Sequence, residues 1–198
     1  MFWLESKAWV GIYNDVMDSV PVRVATALDL AAVAAIYADE VRRGTASFEI
    51  EPPSLTEIKQ RWVDVCNLGL PYLVAHLDQN VAGYAYAVPY RTRPAYRYTL
   101  ENSVYVAPWA RQRGVGLALL RGLISGCEIW GAHQMIAIVG DPTANHASIR
   151  LHEKAGFVSV GTLSGVGRKF DSWLDSLIMQ RTLGYGISSS PRDRRVPA

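Results

Sequence analysis

The stretch ENSVYVAPWARQRGVGLALL, residues 101–120, decides how this chain is read. A β-branched and aromatic run, residues 103–107, stops at Pro108. Two arginines and two glycines follow in Arg111-Gln112-Arg113-Gly114-Val115-Gly116, and then an apolar segment begins. In it Val115, Leu119, Leu123 and Cys127 fall on one stripe, which predicts a helix to about Trp130. The stretch is therefore a strand-to-helix junction. A helix N-terminus carries N–H groups without acceptors and a partial positive charge, and glycine lets a ligand approach the backbone. Such a junction suits an anion, a pyrophosphate above all. It is not a phosphate-binding Walker loop, because no Lys-Ser or Lys-Thr pair follows Gly116. Nor is it the dinucleotide fingerprint, because the third glycine is missing and the strand follows a hairpin. Taken alone, the hexapeptide also fits a tight loop with solvated arginines.

Working outward, residues 22–24 alternate as a first strand. Thr26 with Asp29, and Ser54 with Glu57, have the spacing of capping boxes and open helices through Val41 and through Cys66. Residues 72–77 and 81–88 form a hairpin around Asp78-Gln79-Asn80. A polar loop, residues 89–98, leads to the opening strand. Residues 135–139 are continuously apolar, as in a buried central strand. A short helix over residues 145–155 closes at Gly156, and residues 157–166 and 173–180 are further strands. The order β-α-α-β-β-β-α-β-α-β-β mixes hairpins with a strand–helix–strand unit. It predicts an α/β (α+β) domain over residues 21–183, with a mixed, mostly antiparallel sheet of about seven strands and about four helices.

Composition limits the partners. The 198 residues are 49% hydrophobic and carry a net charge of +2, enough for one real core and too little charge for a nucleic-acid footprint. No apolar run reaches the length of a membrane span, and no metal-ligand spacing occurs. Cys66 and Cys127 are expected to be buried free thiols in a reducing, cytoplasmic compartment. Residues 1–20 lack the pattern of a signal peptide. They read as a loosely docked arm, or as an extension upstream of a start nearer Met17. Residues 184–198, rich in Gly, Ser, Pro and Arg, are expected to be a disordered tail.

A second segment narrows the reading. Asn145-His-Ala-Ser148-Ile-Arg-Leu-His152-Glu-Lys-Ala-Gly156-Phe157 follows the junction one strand later. With Arg111-x-x-Gly114-x-Gly116 it resembles the GCN5-related N-acetyltransferase superfamily, over nearly the whole of residues 22–183. The strings GTASFEIEPPS, GYAYAVPYRTRPAYRYTLENSVYVAP and WLDSLIMQRTLG are similar to the phosphinothricin and methionine sulfoximine or sulfone acetyltransferase family. The resemblance implies the acyl-CoA N-acyltransferase fold and a soluble homodimer. It implies transfer of acetyl from acetyl-CoA to the α-amine of a small, amino-acid-like substrate.

It also implies roles. Arg111, Gln112, Arg113, Gly114, Val115 and Gly116 would hold the pyrophosphate. Val104 and Val106, on a strand that parts from its neighbour, would hold the pantetheine arm, and Asn145 and Ser148 would line the cofactor. Glu101, expected just before the strand, would be the general base. His152 stands where the superfamily usually has a tyrosine, and would either protonate the leaving thiolate or position a ligand. Arg91, Arg93 and Tyr96 would grip the acidic end of the substrate, with Phe48 as an apolar wall and Tyr105 from the strand. Two other functions fit parts of the pattern: a protein or peptide amine acetyltransferase, and a non-catalytic acetyl-CoA-binding module. The arginine-bearing loop disfavours the first, and Glu101 with Arg91 and Arg93 disfavours the second.

Overall fold

The computed structural model describes residues 20–188. The expected extension below Val20 and residues 189–198 of the expected tail lie outside these described residues. A seven-stranded sheet has the order β1-β2-β3-β4-β5-β7-β6. The strands are β1 (Val22–Val24), β2 (Tyr72–Leu77), β3 (Asn80–Pro89), β4 (Thr99–Val106), β5 (Gln134–Gly140), β6 (Val158–Lys169) and β7 (Ser172–Thr182). The helices are α1 (Leu30–Arg43), α2 (Leu55–Asn67), α3 (Val115–Trp130) and α4 (His146–Lys154). All neighbours in the sheet are antiparallel except β4 and β5, which α3 joins as a parallel pair.

The two faces of the sheet are covered differently. Along β4, Asn102 and Val106 point to the α3–α4 side. Asn102 meets His152 of α4, and Val106 lies beside Gly116 of α3. Glu101, Ser103 and Tyr105 alternate to the other side, where Tyr37 of α1 packs edge-on to Tyr105. That side holds a tyrosine stack. Tyr72, Tyr84 and Tyr86 lie nearly parallel, and Tyr84 stacks on Tyr105 at 5.2 Å.

Turn chemistry closes the hairpins without glycine. Asp78 and Gln79, at φ 49° and 66°, are both left-handed, as a two-residue hairpin turn requires. Ser54 caps α2 by accepting from the Glu57 N–H at 3.2 Å. At the other predicted start, a short 3-10 turn (Ala27–Asp29) precedes α1. There the Asp29 carboxylate accepts from the Thr26 N–H at 2.7 Å and takes both Arg23 guanidinium nitrogens, at 2.8 and 2.7 Å.

Four expectations change. Glu101 lies inside β4, opposite Val88 and Ile136, and not before the strand. Cys127 is buried but Cys66 is exposed, because α2 turns Ile58 and Val65 inward. Ile138 is exposed in the middle of β5, for a reason given below. Residues 184–188 continue the fold: the Gly184 N–H donates to Glu128, and the Gly186 carbonyl lies 2.6 Å from His133 Nδ1.

The Asp29 cluster fixes β1 to α1 and has a pH signature. Burial alone would raise the Asp29 carboxyl, but the Arg23 and Thr26 donors outweigh it and hold the pKa at about 2. A depressed acid stabilises the fold above its unfolded value, near 4, and loses that contribution as pH falls through about 2. Asp29→Asn should therefore cost about 2 kcal/mol at neutral pH. The difference from wild type in urea melts should shrink between about pH 4 and pH 2. A constant difference across that window would refute the assignment.

Candidate active site

The strands β4 and β5 pair only from Thr99↔Gln134 to Asn102↔Ala137. Beyond that rung β4 runs on to Val106 and β5 to Gly140, so the sheet opens as a fork. Ile138 is exposed in the fork, where β4 no longer runs beside it and β7, through Ile178, is its one paired strand among the described residues. The last rung is reinforced by a side chain: Asn102 Nδ2 donates to the Ile136 carbonyl at 3.0 Å.

At the end of the fork on the α3 side lies the junction that opened the sequence. Gln112 and Gly114 are left-handed, at φ 62° and 82°. The backbone thus turns sharply into α3, and at Gly114 this needs glycine. The first helical bond runs from the Ala118 N–H to the Gly114 carbonyl, which leaves the N–H groups of residues 115–117 ahead of it. Only the backbone of Val115 can serve a ligand, because its side chain is buried. Arg111 and Arg113 are exposed beside the junction, 3.6 Å from Glu40 and 3.5 Å from Asp78. Gly116 has another reason to be glycine. A Cβ there would meet Leu151 of α4 at 3.2 Å and Val106 at 3.5 Å, so its bare backbone lets α3, α4 and β4 close together. Such a junction can hold a pyrophosphate.

On the opposite face, Glu101 is half-buried. Burial pushes its carboxyl above the ordinary carboxylate range, and the Arg91 guanidinium, within electrostatic reach, opposes that rise. Arg91 lies over the Tyr90 ring at 4.2 Å, and Arg93 is exposed in the same loop. Tyr96 is also exposed there and packs edge-on to Tyr90. Tyr105 has its ring in the tyrosine stack, so it builds the floor of this face.

Phe48 stands in a loop, residues 44–50, tied down along its length. Thr45 Oγ1 donates to Asp141 at 2.9 Å, the Ala46 N–H to Glu40 at 3.0 Å, and Lys169 Nζ to the Ser47 carbonyl at 2.7 Å. Tyr37 and Ser47 share a hydrogen bond at 2.9 Å. The Phe48 ring lies against Gly140 and Gly167, where a Cβ on either glycine would strike it. Asn145, expected on the cofactor, directs its amide N–H groups to the Gly140 and Asp141 carbonyls and to Thr45. It ties the end of β5 to this loop.

His152 is buried on the α3–α4 side. Nε2 lies 3.0 Å from Asn102 Oδ1, and Nδ1 lies 2.8 Å from the Ser148 carbonyl and 3.5 Å from Ser148 Oγ. Because Asn102 Nδ2 is bound to Ile136, its oxygen must face the histidine. Nε2 therefore donates to Asn102, while Nδ1 meets the Ser148 carbonyl, an acceptor, and the Ser148 hydroxyl, which can donate; a doubly protonated ring would use both oxygen acceptors. Burial opposes that charge and lowers the pKa, with the Ser148 carbonyl acting the other way. Glu101 and His152 are thus on opposite faces, joined through the fork and not through direct contact.

Sequence reasoning missed Glu40, Glu49, Asn102, Ile138 and Lys169. Lys169 is a buried cation at a strand end, and Glu49 pairs with Arg61 at 2.7 Å beside Phe48. Only Asn102 carried a signal, as a polar residue at an inward position next to Glu101. Among the described residues no group of His, Cys, Asp and Glu could hold a metal ion, and no helix is long and apolar enough to cross a membrane.

Comparison with known proteins follows the same lines. A model of the acetyltransferase (GNAT) family matches residues 33–157. The phosphinothricin N-acetyltransferase of Alcaligenes faecalis is 52% identical over 170 residues, 86% of each chain. An L-methionine sulfoximine/L-methionine sulfone acetyltransferase of Pseudomonas paraeruginosa is 38% identical over 167 residues, 83% of this chain and 95% of that one. The crystal structure of a phosphinothricin acetyltransferase from Sinorhizobium meliloti in complex with AcCoA superposes with a TM-score of 0.86. It is 40% identical and covers 90% of this chain and 96% of that one.

The contact of Gly167 with Phe48 gives a direct check. Gly167→Ala places a methyl group where the Phe48 ring now lies, and the ring should swing away while the strand stays. A crystal structure of the variant with the ring unmoved would show that the hairpin yields instead.

Proposed function

Because the chain belongs to the acetyltransferase (GNAT) family, we propose that it moves acetyl from acetyl-CoA to the α-amine of a small, amino-acid-like substrate of the phosphinothricin or methionine sulfone type. The observation that carries this reading is Glu101: a half-buried carboxylate with a raised pKa, beside Arg91, on the sheet face away from the helix junction. The junction and the fork fit acetyl-CoA, with free N–H groups, two arginines and unpaired strand edges in sequence. Acetyl-CoA supplies the thioester carbon that the amine attacks.

The residues divide the work by face. Arg111, Arg113 and the N–H groups at the start of α3 hold the pyrophosphate, with Gln112, Gly114 and Gly116 shaping the turn. The strand edges beyond Asn102 and Ala137 offer main-chain donors to the cofactor arm and to an oxygen gaining charge. On the other face, Arg91 and Arg93 hold the acidic end of the substrate, Tyr96 borders it, and Phe48 walls its side chain. An amine is mostly protonated near neutral pH, so Glu101 removes its proton, directly or through a water. A raised pKa makes Glu101 a stronger base. His152, bonded through Nε2 to Asn102, positions the arm beside the departing sulfur.

We also place the enzyme in a homodimer. The edge strand β6 is twelve residues long and exposes Val158, Val160, Leu163 and Val166, and a free apolar edge of that kind calls for a cover. Light scattering that finds a monomer at micromolar concentration would refute this.

Glu101→Gln should lower kcat by roughly 10²–10⁴ while acetyl-CoA still binds. Activity in the wild type should fall as pH drops through a pKa above the ordinary carboxylate value, and that limb should vanish in the variant. An unchanged rate and profile would move the base elsewhere. Turnover of acetyl-CoA with a panel of amines tests the substrate class. If Arg91 and Arg93 hold an anion, methionine sulfone and phosphinothricin should exceed the matching neutral amines in kcat/KM. The factor should be roughly ten to a hundred, as one charge-assisted contact is worth about 1.5–3 kcal/mol. Equal use of lysine peptides would favour the protein-modifying reading, and no turnover with any amine would favour a binding module.

A further inference from the structure

Glu40 touches both halves of the site. It sits in the last turn of α1 and is largely buried, with its side chain 14% exposed. One carboxylate oxygen, Oε1, accepts from the Ala46 N–H at 3.0 Å, in the loop that carries Phe48. The other, Oε2, faces the Arg111 guanidinium at 3.6 Å, in the helix junction. Gly44 leaves room for this. A Cβ there would collide with the Glu40 carboxylate, which folds back over the end of its own helix. On the far side of the loop, Lys169 donates to the Ser47 carbonyl at 2.7 Å. The Glu40 charge reaches the Lys169 ammonium and works against the burial that lowers its pKa.

We infer that Glu40 is a positioning residue that couples filling of the helix junction to the firmness of the Phe48 loop. This rests on reading residues 111–116 as the acetyl-CoA pyrophosphate site. In the free chain Arg111 and the loop share one carboxylate. A pyrophosphate is a more strongly charged acceptor for a guanidinium. When Arg111 turns to it, Glu40 Oε2 loses its counter-charge and is left beside an anion. The carboxylate is then drawn toward the donors on its other side, the Ala46 N–H and the Lys169 ammonium. Both hold the loop against which the substrate packs. Filling the cofactor side therefore tightens the amine side, and by linkage the amine tightens the cofactor side by the same factor.

The test uses calorimetry with methionine sulfone and free coenzyme A, which has no acetyl group to transfer, so nothing turns over. The quantity read is the ratio of amine affinities with and without saturating coenzyme A. In the wild type the amine should bind about two- to fivefold tighter in its presence, the range of one exposed ion pair. Glu40→Gln keeps an acceptor for the Ala46 N–H but removes the charge. Its ratio should fall to about one, with amine affinity in the absence of coenzyme A nearly unchanged. Asp141→Asn weakens a different tie on the same loop, that from Thr45. It should weaken amine binding equally with and without coenzyme A and keep the wild-type ratio. A wild-type ratio of one, a Glu40→Gln ratio equal to the wild type, or a ratio lost equally in Asp141→Asn would each overturn the inference. A wild-type protein that binds methionine sulfone but no coenzyme A would overturn the reading of the junction, and this inference with it.

Discussion

Asn102 donates from its side chain to the Ile136 carbonyl on the last rung that β4 and β5 share. The site depends on what happens at that rung. Below it the sheet is continuous and its backbone groups are paired. Above it two strands leave each other with main-chain donors and acceptors facing a gap. Unpaired backbone in a protein interior is costly, so the gap is stable only if something polar fills it or water reaches it. The same amide turns its oxygen to His152, so the point where the sheet opens and the titratable ring beside it are fixed by one side chain.

The fork also separates two chemical environments. Side chains alternate along a strand, so adjacent residues Glu101 and Asn102 address opposite faces. The α3–α4 face has the helix N-terminus and the buried histidine. The α1–α2 face has the carboxylate, the tyrosines, the arginine loop and Phe48. A reaction that joins an anionic carrier to an amine is served by positive charge and a carboxylate in different places, and the split sheet holds both within a few residues. Glu101 is desolvated on the tyrosine side, which raises its pKa, while Arg91 and Arg93 stay solvent-exposed.

The loop over residues 44–50 shows how such a site is kept rigid without regular structure. Its hydrogen bonds come from α1, the β5–α4 connection and the end of β6. Two glycines, Gly140 and Gly167, make the space in which Phe48 sits. The position of this one ring therefore depends on three parts of the chain that are more than ninety residues apart in sequence at their extremes.

The sequence by itself determined the order of elements, the capped starts of α1 and α2, the hairpins and the phosphate-type junction. Each of these is written locally, in spacing, turn residues and glycines that act on their own neighbours. It also singled out Glu101, His152, Arg91, Arg93 and Phe48, through resemblance of long strings to a known family. Tertiary structure alone decided that Glu101 lies within β4 and opposite in face to His152, and that Ile138 is exposed by the fork. It alone decided that Gly116 serves helix packing, and that Asn145 ties a loop. It brought Glu40 and Lys169 to the same loop from positions 129 residues apart in the chain. Those facts depend on which strands stop pairing and which distant carbonyls meet which donors. No local pattern encodes them, because the energy of a buried polar contact is set by the partner that folding brings and not by the residue that waits for it.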